Sequence, residues 1–277
     1  MRGMFNTKRL NVQEKSRGVI VFAFNTDLVD YVKIAEQSAR LIKHTLNLPV
    51  TLVTDKECTS PYFDAVVQTE NIMPNSRRGY ANLTQWRNGD RYCAYQHSPY
   101  DETLLIDSDY LMLDQSLLKL FEITNDYCIM HGNRYLNAIA SPYMGPLNLP
   151  HVWATAIIFK RTDKSQMLFD LVGKIQRNYQ YYRQLYNISA TNFRNDYAFA
   201  IATNIVNGYT INNTNAMPYT MLTADAKLTS ISKRGAMLAI KQNDKAHVVP
   251  VQNLHIMDKD YLLSDDFNQF VDTLCQE

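Results

Sequence analysis

The stretch TLLIDSDYLML, Thr103 to Leu113, decides how this chain is read. Thr103-Leu104-Leu105-Ile106 reads as a buried strand running straight into Asp107-Ser108-Asp109, and a second apolar piece, Tyr110-Leu111-Met112-Leu113, follows at once. Two carboxylates spaced i, i+2 at the mouth of a buried strand are costly to desolvate, and they repel each other. A hard divalent cation carrying a phosphate relieves both problems. The alternative is a polar turn closing a strand, where Asp and Ser are common.

Working outward, Val19 to Phe24 is a continuous apolar run, as expected of a central strand covered on both faces. It ends in Asn25-Thr26-Asp27, helix-capping chemistry. Val32, Ala35, Ala39, Ile42 and Leu46 then share one helical face, Pro49 stops the helix, and Val50 to Thr54 forms the next strand. Strand, helix and strand in this span make a βαβ unit, so the sheet is parallel here. Ala65 to Thr69 reads as a third strand, and residues 70–90 as a long polar connection. Arg91 to His97 and Ser116 to Phe121 read as short helices, and Tyr127 to Met130 and His151 to Phe159 as strands, with 131–150 a second long loop. Helices are expected over 163–186 and from Tyr197 to Ile205, the latter preceded by Asn195-Asp196. Shorter strands follow around Met217 to Leu222, Ala236 to Ile240 and Val248 to Val251, and then comes Leu254-His255-Ile256.

With 46% hydrophobic and 20% charged residues over 277 positions, the composition is that of an ordinary globular chain with a sizeable core. A net charge of +1 does not by itself point to nucleic acid or membrane. The charge is uneven, however. Arg77, Arg78, Arg87 and Arg91 form one basic group; Lys227, Lys233, Arg234, Lys241 and Lys245 form another; the segment after Met257 is acidic. Two basic patches on a neutral protein suit an anionic ligand, or are simply solvated faces. The four cysteines make no CxxC pair, and Cys93 and Cys128 sit in apolar runs, so neither a disulfide framework nor a zinc site is implied. His44, His97, His131, His151 and His247 show no mutual spacing that suggests a metal. No apolar signal core opens the chain and no run approaches the ~18 residues of a membrane span, so a cytoplasmic protein without a membrane span is expected.

VIVFAFN (19–25), LLIDSDYLML (104–113), HVWATAIIFKR (151–161), RNDYAFAIA (194–202) and LHIMDK (254–259), in that order, resemble the nucleotide-sugar-dependent glycosyltransferases of the GT-A fold, including glycogenin-like members and the compact transferases of bacteriophages. The resemblance implies an α/β fold with a mixed, mostly parallel sheet flanked by helices. It implies residues 1–17 as a lead-in arm and 18–277 as one catalytic domain, with 18–115 its nucleotide-binding half and 116–277 its acceptor half. It implies Mn²⁺ or Mg²⁺ held most firmly by Asp109, with His255 as a further ligand and Asp107 facing the ribose or the metal through water. Ala23, Phe24 and Asn25 would line the nucleotide pocket, with Arg77 and Arg78 on the diphosphate and Trp153, Ala154 and Thr155 bordering the sugar; Trp153 could also stack on an acceptor ring or simply be part of the core. Asp196 would act as catalytic base on the acceptor, although its position also suits a helix cap. Lys259 would reach the nucleotide sugar. The glycogenin-like pattern HxxGxxK is met only in part: Asp258 stands where Gly is expected and Lys259 comes early.

The implied activity is transfer of a hexose or pentose from a nucleotide diphosphate sugar, a UDP-sugar above all, to a hydroxyl. The implied acceptor is a glycan, a protein or a hydroxymethylated base in phage DNA, and the implied setting a bacterial or phage-infected cell. A nucleotidyltransferase shares the opening topology but would want a glycine-rich phosphate loop, which Asn25-Thr26-Asp27 lacks. A non-catalytic nucleotide-sugar-binding module is the third reading.

Overall fold

The computed structural model describes residues 16–70, 88–144, 149–209 and 215–276, and the backbone of 75–78 and 83–86. Most of the expected arm, 1–15, lies outside them, as do the side chains of Arg77 and Arg78. The opening unit is β1 (Arg17–Phe22), α1 (Tyr31–Leu46) and β2 (Val50–Thr54), followed by β3 (Ala65–Gln68) and a two-stranded piece, β4 (Asn75–Arg78) with β5 (Leu83–Trp86). A 3-10 turn (Gly89–Cys93) runs into α2 (Ala94–His97), and β6 (Glu102–Asp107) and β7 (Tyr110–Leu111) flank the acidic motif. Next come α3 (Leu118–Ile123), β8 (Tyr127–Met130), β9 (Gly132–Tyr135), the short pair β10 (Tyr143–Met144) and β11 (Leu149–Pro150), and β12 (Trp153–Lys160). Helices α4 (Asp163–Arg177), α5 (Tyr179–Leu185) and α6 (Asn195–Val206) precede β13 (Thr220–Ala224). The chain ends with β14 (Leu228–Arg234), β15 (Met237–Gln242), β16 (Lys245–Pro250), β17 (Leu254–Ile256), α7 (Lys259–Leu262) and α8 (Asp265–Gln276).

The main sheet has the order β3-β2-β1-β6-β12-β8, with β1, β2, β3 and β6 parallel and β12 antiparallel to both its neighbours. This is an α/β fold with a mixed, mostly parallel sheet. Its strands are apolar on both faces because both are covered. Ile20, Phe22 and Phe24 point to one side, where α4 and α6 supply Leu168, Phe169, Val172, Phe199 and Ile201. Val19, Val21 and Ala23 point to the other, against Ala35, Ala39 and Ile42 of α1 and Phe121 of α3. The opposite face of α1, Ile34 and Leu41, meets a further layer made of β17, β13, the β14-β15-β16 meander and α8.

The two halves expected on either side of residue 115 share their sheets. β6 from the first part pairs with β12 from the second, and β7 pairs with β17. One expected loop and one expected helix differ. The 131–150 segment contains β9, whose polar Gly-Asn-Arg-Tyr sequence pairs in parallel with β13. The 163–186 helix is divided at Asn178, whose backbone leaves helical geometry. Among the described residues no helix is long and apolar enough to cross a membrane.

Candidate functional site

The acidic motif sits where β6 leaves the carboxyl edge of the parallel strands, the edge at which open α/β sheets receive ligands. Asp107 closes β6, beside Phe22 of β1. Asp109 is placed by the second sheet: its carbonyl accepts from the Ile256 amide at 3.0 Å, and His255 lies opposite Tyr110 in the β17–β7 register. A late segment of the chain is thereby brought onto the motif.

Asp109 is the centre of one cluster. Its Oδ2 accepts from Lys259 Nζ at 2.5 Å, and the same ammonium donates to the Ile256 and Met257 carbonyls. Oδ1 is buried and meets no hydrogen-bond partner of good geometry among the described residues; His255 Nε2 stands 3.5 Å away. Burial opposes ionisation of Asp109, but Lys259 and His255 override it and hold the carboxyl well below the usual carboxylate range. His255 is itself steered. Thr223 Oγ1 donates to Asn133 Oδ1 at 2.7 Å, which leaves its oxygen to accept from His255 Nδ1 at 3.4 Å. Asp109 Oδ1 and His255 Nε2 thus face each other, and an imidazole oriented by its far nitrogen is the usual form of a metal-ligating histidine. With Nε2 unprotonated, these two atoms could hold a divalent cation. Among the described residues no group of three His, Cys, Asp or Glu is arranged around one point, so water and phosphate oxygens would complete the coordination.

Asp107 belongs to a different network. Its Oδ1 accepts from the Arg91 guanidinium and, at 3.4 Å, from Asn88 Nδ2. Arg91 is only 1% exposed and also donates to the Ala154 carbonyl at 2.6 Å. Burial raises the Asp107 carboxyl pKa, with Arg91 opposing and Asp109 reinforcing the shift. Asp107, Asp109 and His255 are thus neighbours, yet only Asp109 and His255 face each other. Asp196, in the first turn of α6, accepts from the Ala154 amide at 2.9 Å through Oδ1 instead of capping its own helix. The next residue back, Asn195, donates to the Asn88 carbonyl at 2.7 Å. The peptide of Ala154 is therefore held from both sides, by Arg91 and by Asp196.

Lys259 is where it is because Asp258 is not a glycine. Asp258 caps α7 by accepting from the Tyr261 amide and also accepts from the Leu228 amide at 2.8 Å, turning the chain so that Lys259 folds back onto Asp109. On the nucleotide side, Ala23 and Phe24 are buried in the two core faces. Asn25 Oδ1 accepts from the Val32 amide and borders a cavity of about 270 Å³ with Thr54, Asp55, Lys56 and Lys33 at the strand ends. Thr155 is buried in β12, and one face of Trp153 is stacked by His151 at a 4.5 Å centroid distance.

Residues that the sequence did not single out also converge here. Arg91 stood in a basic group, Asn88 in a polar connection, and Tyr31 at a helix start. Tyr31 is within electrostatic range of Lys259, Asp109 and Asp107, and burial raises its pKa. Only the pairing of β6 with β12, a long-range fact, marks Arg91 and Asn88 as site residues.

No family model matches the chain, nor does any curated protein. Among solved structures it is similar to the glycosyltransferase GlyE of Streptococcus pneumoniae TIGR4, at 12% identity and a TM-score of 0.41 over 73% of this chain and 45% of that one. The apo form of GlyE aligns over the same shares at 11% identity and a TM-score of 0.40. The bifunctional glycosyltransferase WbbM aligns at 14% identity and a TM-score of 0.33, over 61% of this chain and 36% of that one. The chain spans less than half the length of each of these structures.

Proposed function

We propose that the protein transfers a sugar from a nucleotide diphosphate sugar, with uridine as the base, to an acceptor hydroxyl, and that it does so with Mn²⁺ or Mg²⁺. The observation that carries this reading is the approach of His255 Nε2 to the buried Asp109 Oδ1, 3.5 Å apart, at the carboxyl edge of a parallel sheet. Asp109 and His255 would hold the cation, Thr223 and Asn133 would keep the imidazole turned toward it, and Lys259 would leave Asp109 Oδ2 for a phosphate oxygen. When bound, the cation supplies Lewis-acid stabilisation of a departing diphosphate. Asp107, held by Arg91, would face the ribose and sugar, and Asp196 would take the acceptor proton from beside β12.

Nucleotidyl transfer is disfavoured by the start of α1. Asp30 caps it by accepting from the Lys33 amide, and Asn25 accepts from the Val32 amide. The helix amides that would cradle phosphates are occupied, and a carboxylate stands at their mouth.

A thermal-shift panel of UDP, GDP, CDP and their sugars, each with and without Mn²⁺, tests the proposal. UDP or a UDP-sugar with Mn²⁺ is expected to raise the melting temperature most, and Asp109→Ala to abolish both that shift and turnover. Normal turnover in Asp109→Ala, or no stabilisation by any nucleotide, would sink it.

A further inference from the structure

Three ring systems sit one strand away from the acidic motif. Trp153 opens β12, opposite Met130 at the end of β8, and His131 is the next residue. The β12–β6 register runs to the pair Ala156–Ile106, just before Asp107 closes β6. His151 stacks on the Trp153 indole with 23° between the planes, which fixes the direction of the indole N–H.

Two polar atoms of this cluster, Trp153 Nε1 and His131 Nε2, are buried without a hydrogen-bond partner among the described residues. A buried polar atom left without a partner is destabilising, and a donor and an acceptor in one cluster can be met by a single group. An alcohol answers both, because its oxygen accepts from the indole N–H while its proton is donated to the imidazole nitrogen. The charge around them is also selective. Burial lowers the pKa of both imidazoles, that of His131 to about 4, so both are neutral at pH 7. Asp196 lies within electrostatic range of His151, and Arg91, which reaches the neighbouring Ala154, is engaged by Asp107. Nothing in the cluster would welcome a phosphate.

We propose that His131, His151 and Trp153 form the acceptor subsite and that it takes a neutral, hydroxyl-bearing ring, a glycan sugar. This rests on the glycosyl-transfer reading and extends it to the class of acceptor. Trp153 Nε1 and His131 Nε2 grip one hydroxyl, and His151 holds the indole in place. A neighbouring hydroxyl of the same ring is left beside Asp196. A nucleic-acid acceptor, with its phosphates, is the competing occupant.

The test uses the full chain with its tryptophans labelled at the indole nitrogen. The sequence has two, Trp86 and Trp153, and Trp153→Phe assigns the signals. Methyl glycosides of glucose, galactose and mannose, and a short single-stranded oligonucleotide, are titrated separately. The glycosides are expected to move the Trp153 N–H signal saturably and leave that of Trp86 in place, and His131→Asn to weaken the response at least tenfold. The proposal is overturned if no glycoside moves the Trp153 signal, or if the oligonucleotide moves it and the glycosides do not. Thermal shifts with UDP and Mn²⁺ on the same sample separate the two levels: nucleotide binding without a glycoside response overturns the subsite alone, whereas loss of nucleotide binding overturns the glycosyl-transfer reading beneath it.

Discussion

Arg91 carries more than its place in the sequence suggests. A guanidinium this deeply buried is kept only where it is paired, and here it joins Asp107 to the backbone of β12. Removing it leaves Asp107 an uncompensated carboxylate among buried neighbours. Arg91→Met is therefore expected to cost about 3 kcal/mol in urea unfolding, and adding Asp107→Asn to restore much of that loss. Equal and additive losses would show that the pair is not a unit. The sequence places Arg91 in a group with Arg77, Arg78 and Arg87, where counting charges cannot separate a solvated arginine from one turned inward. Asp107 and Asp109 were legible because their spacing at a strand end is local; their division between Arg91 and Lys259 was not, since both partners come from remote parts of the chain.

At the scale of elements, Gly173 shows how the site is braced. A Cβ there would lie 2.7 Å from Tyr92 Cδ2, so α4 accepts the Tyr92 ring where any other residue would push it away. Tyr92 belongs to the 3-10 turn that also carries Arg91. Gly173→Ala gains up to about 1 kcal/mol of helix propensity but overpacks the contact by about 1–3 kcal/mol. A net loss near 1 kcal/mol and a fall in turnover are expected, read by melting temperature and by assay; an unchanged melting temperature with full turnover would mean that the turn is not braced there. The apolar elements β1, α1, β2, β6, β12 and α4 were readable because burial on both faces writes continuous or 3.6-period apolar patterns. β14 was not, since only Leu228 and Ile231 among its residues are buried. α8 hid behind its acidic start, although Phe267, Phe270, Val271 and Leu274 form one packed face.

At the scale of the whole molecule, the layers share one stability, and His131 links it to pH. Its pKa falls from 6.5 to about 4 through burial, with His151 adding to the shift. The unfolded chain takes up this proton below about pH 6.5 and the folded chain only near pH 4. Stability is thus complete above that window and lost as pH falls through it, by about 3 kcal/mol at most. His131→Asn is expected to flatten the acid limb of a stability–pH curve between these values, and an unchanged limb would place the titrating group elsewhere.

The doubly held peptide of Ala154 gives the molecule a built-in reporter. Its amide hydrogen is bonded to Asp196, joining β12 to α6, and its carbonyl to Arg91, joining β12 to the 3-10 turn. The exchange rate of that one hydrogen with solvent deuterium therefore reads the docking of α6 on β12, and a ligand that tightens this junction should slow it.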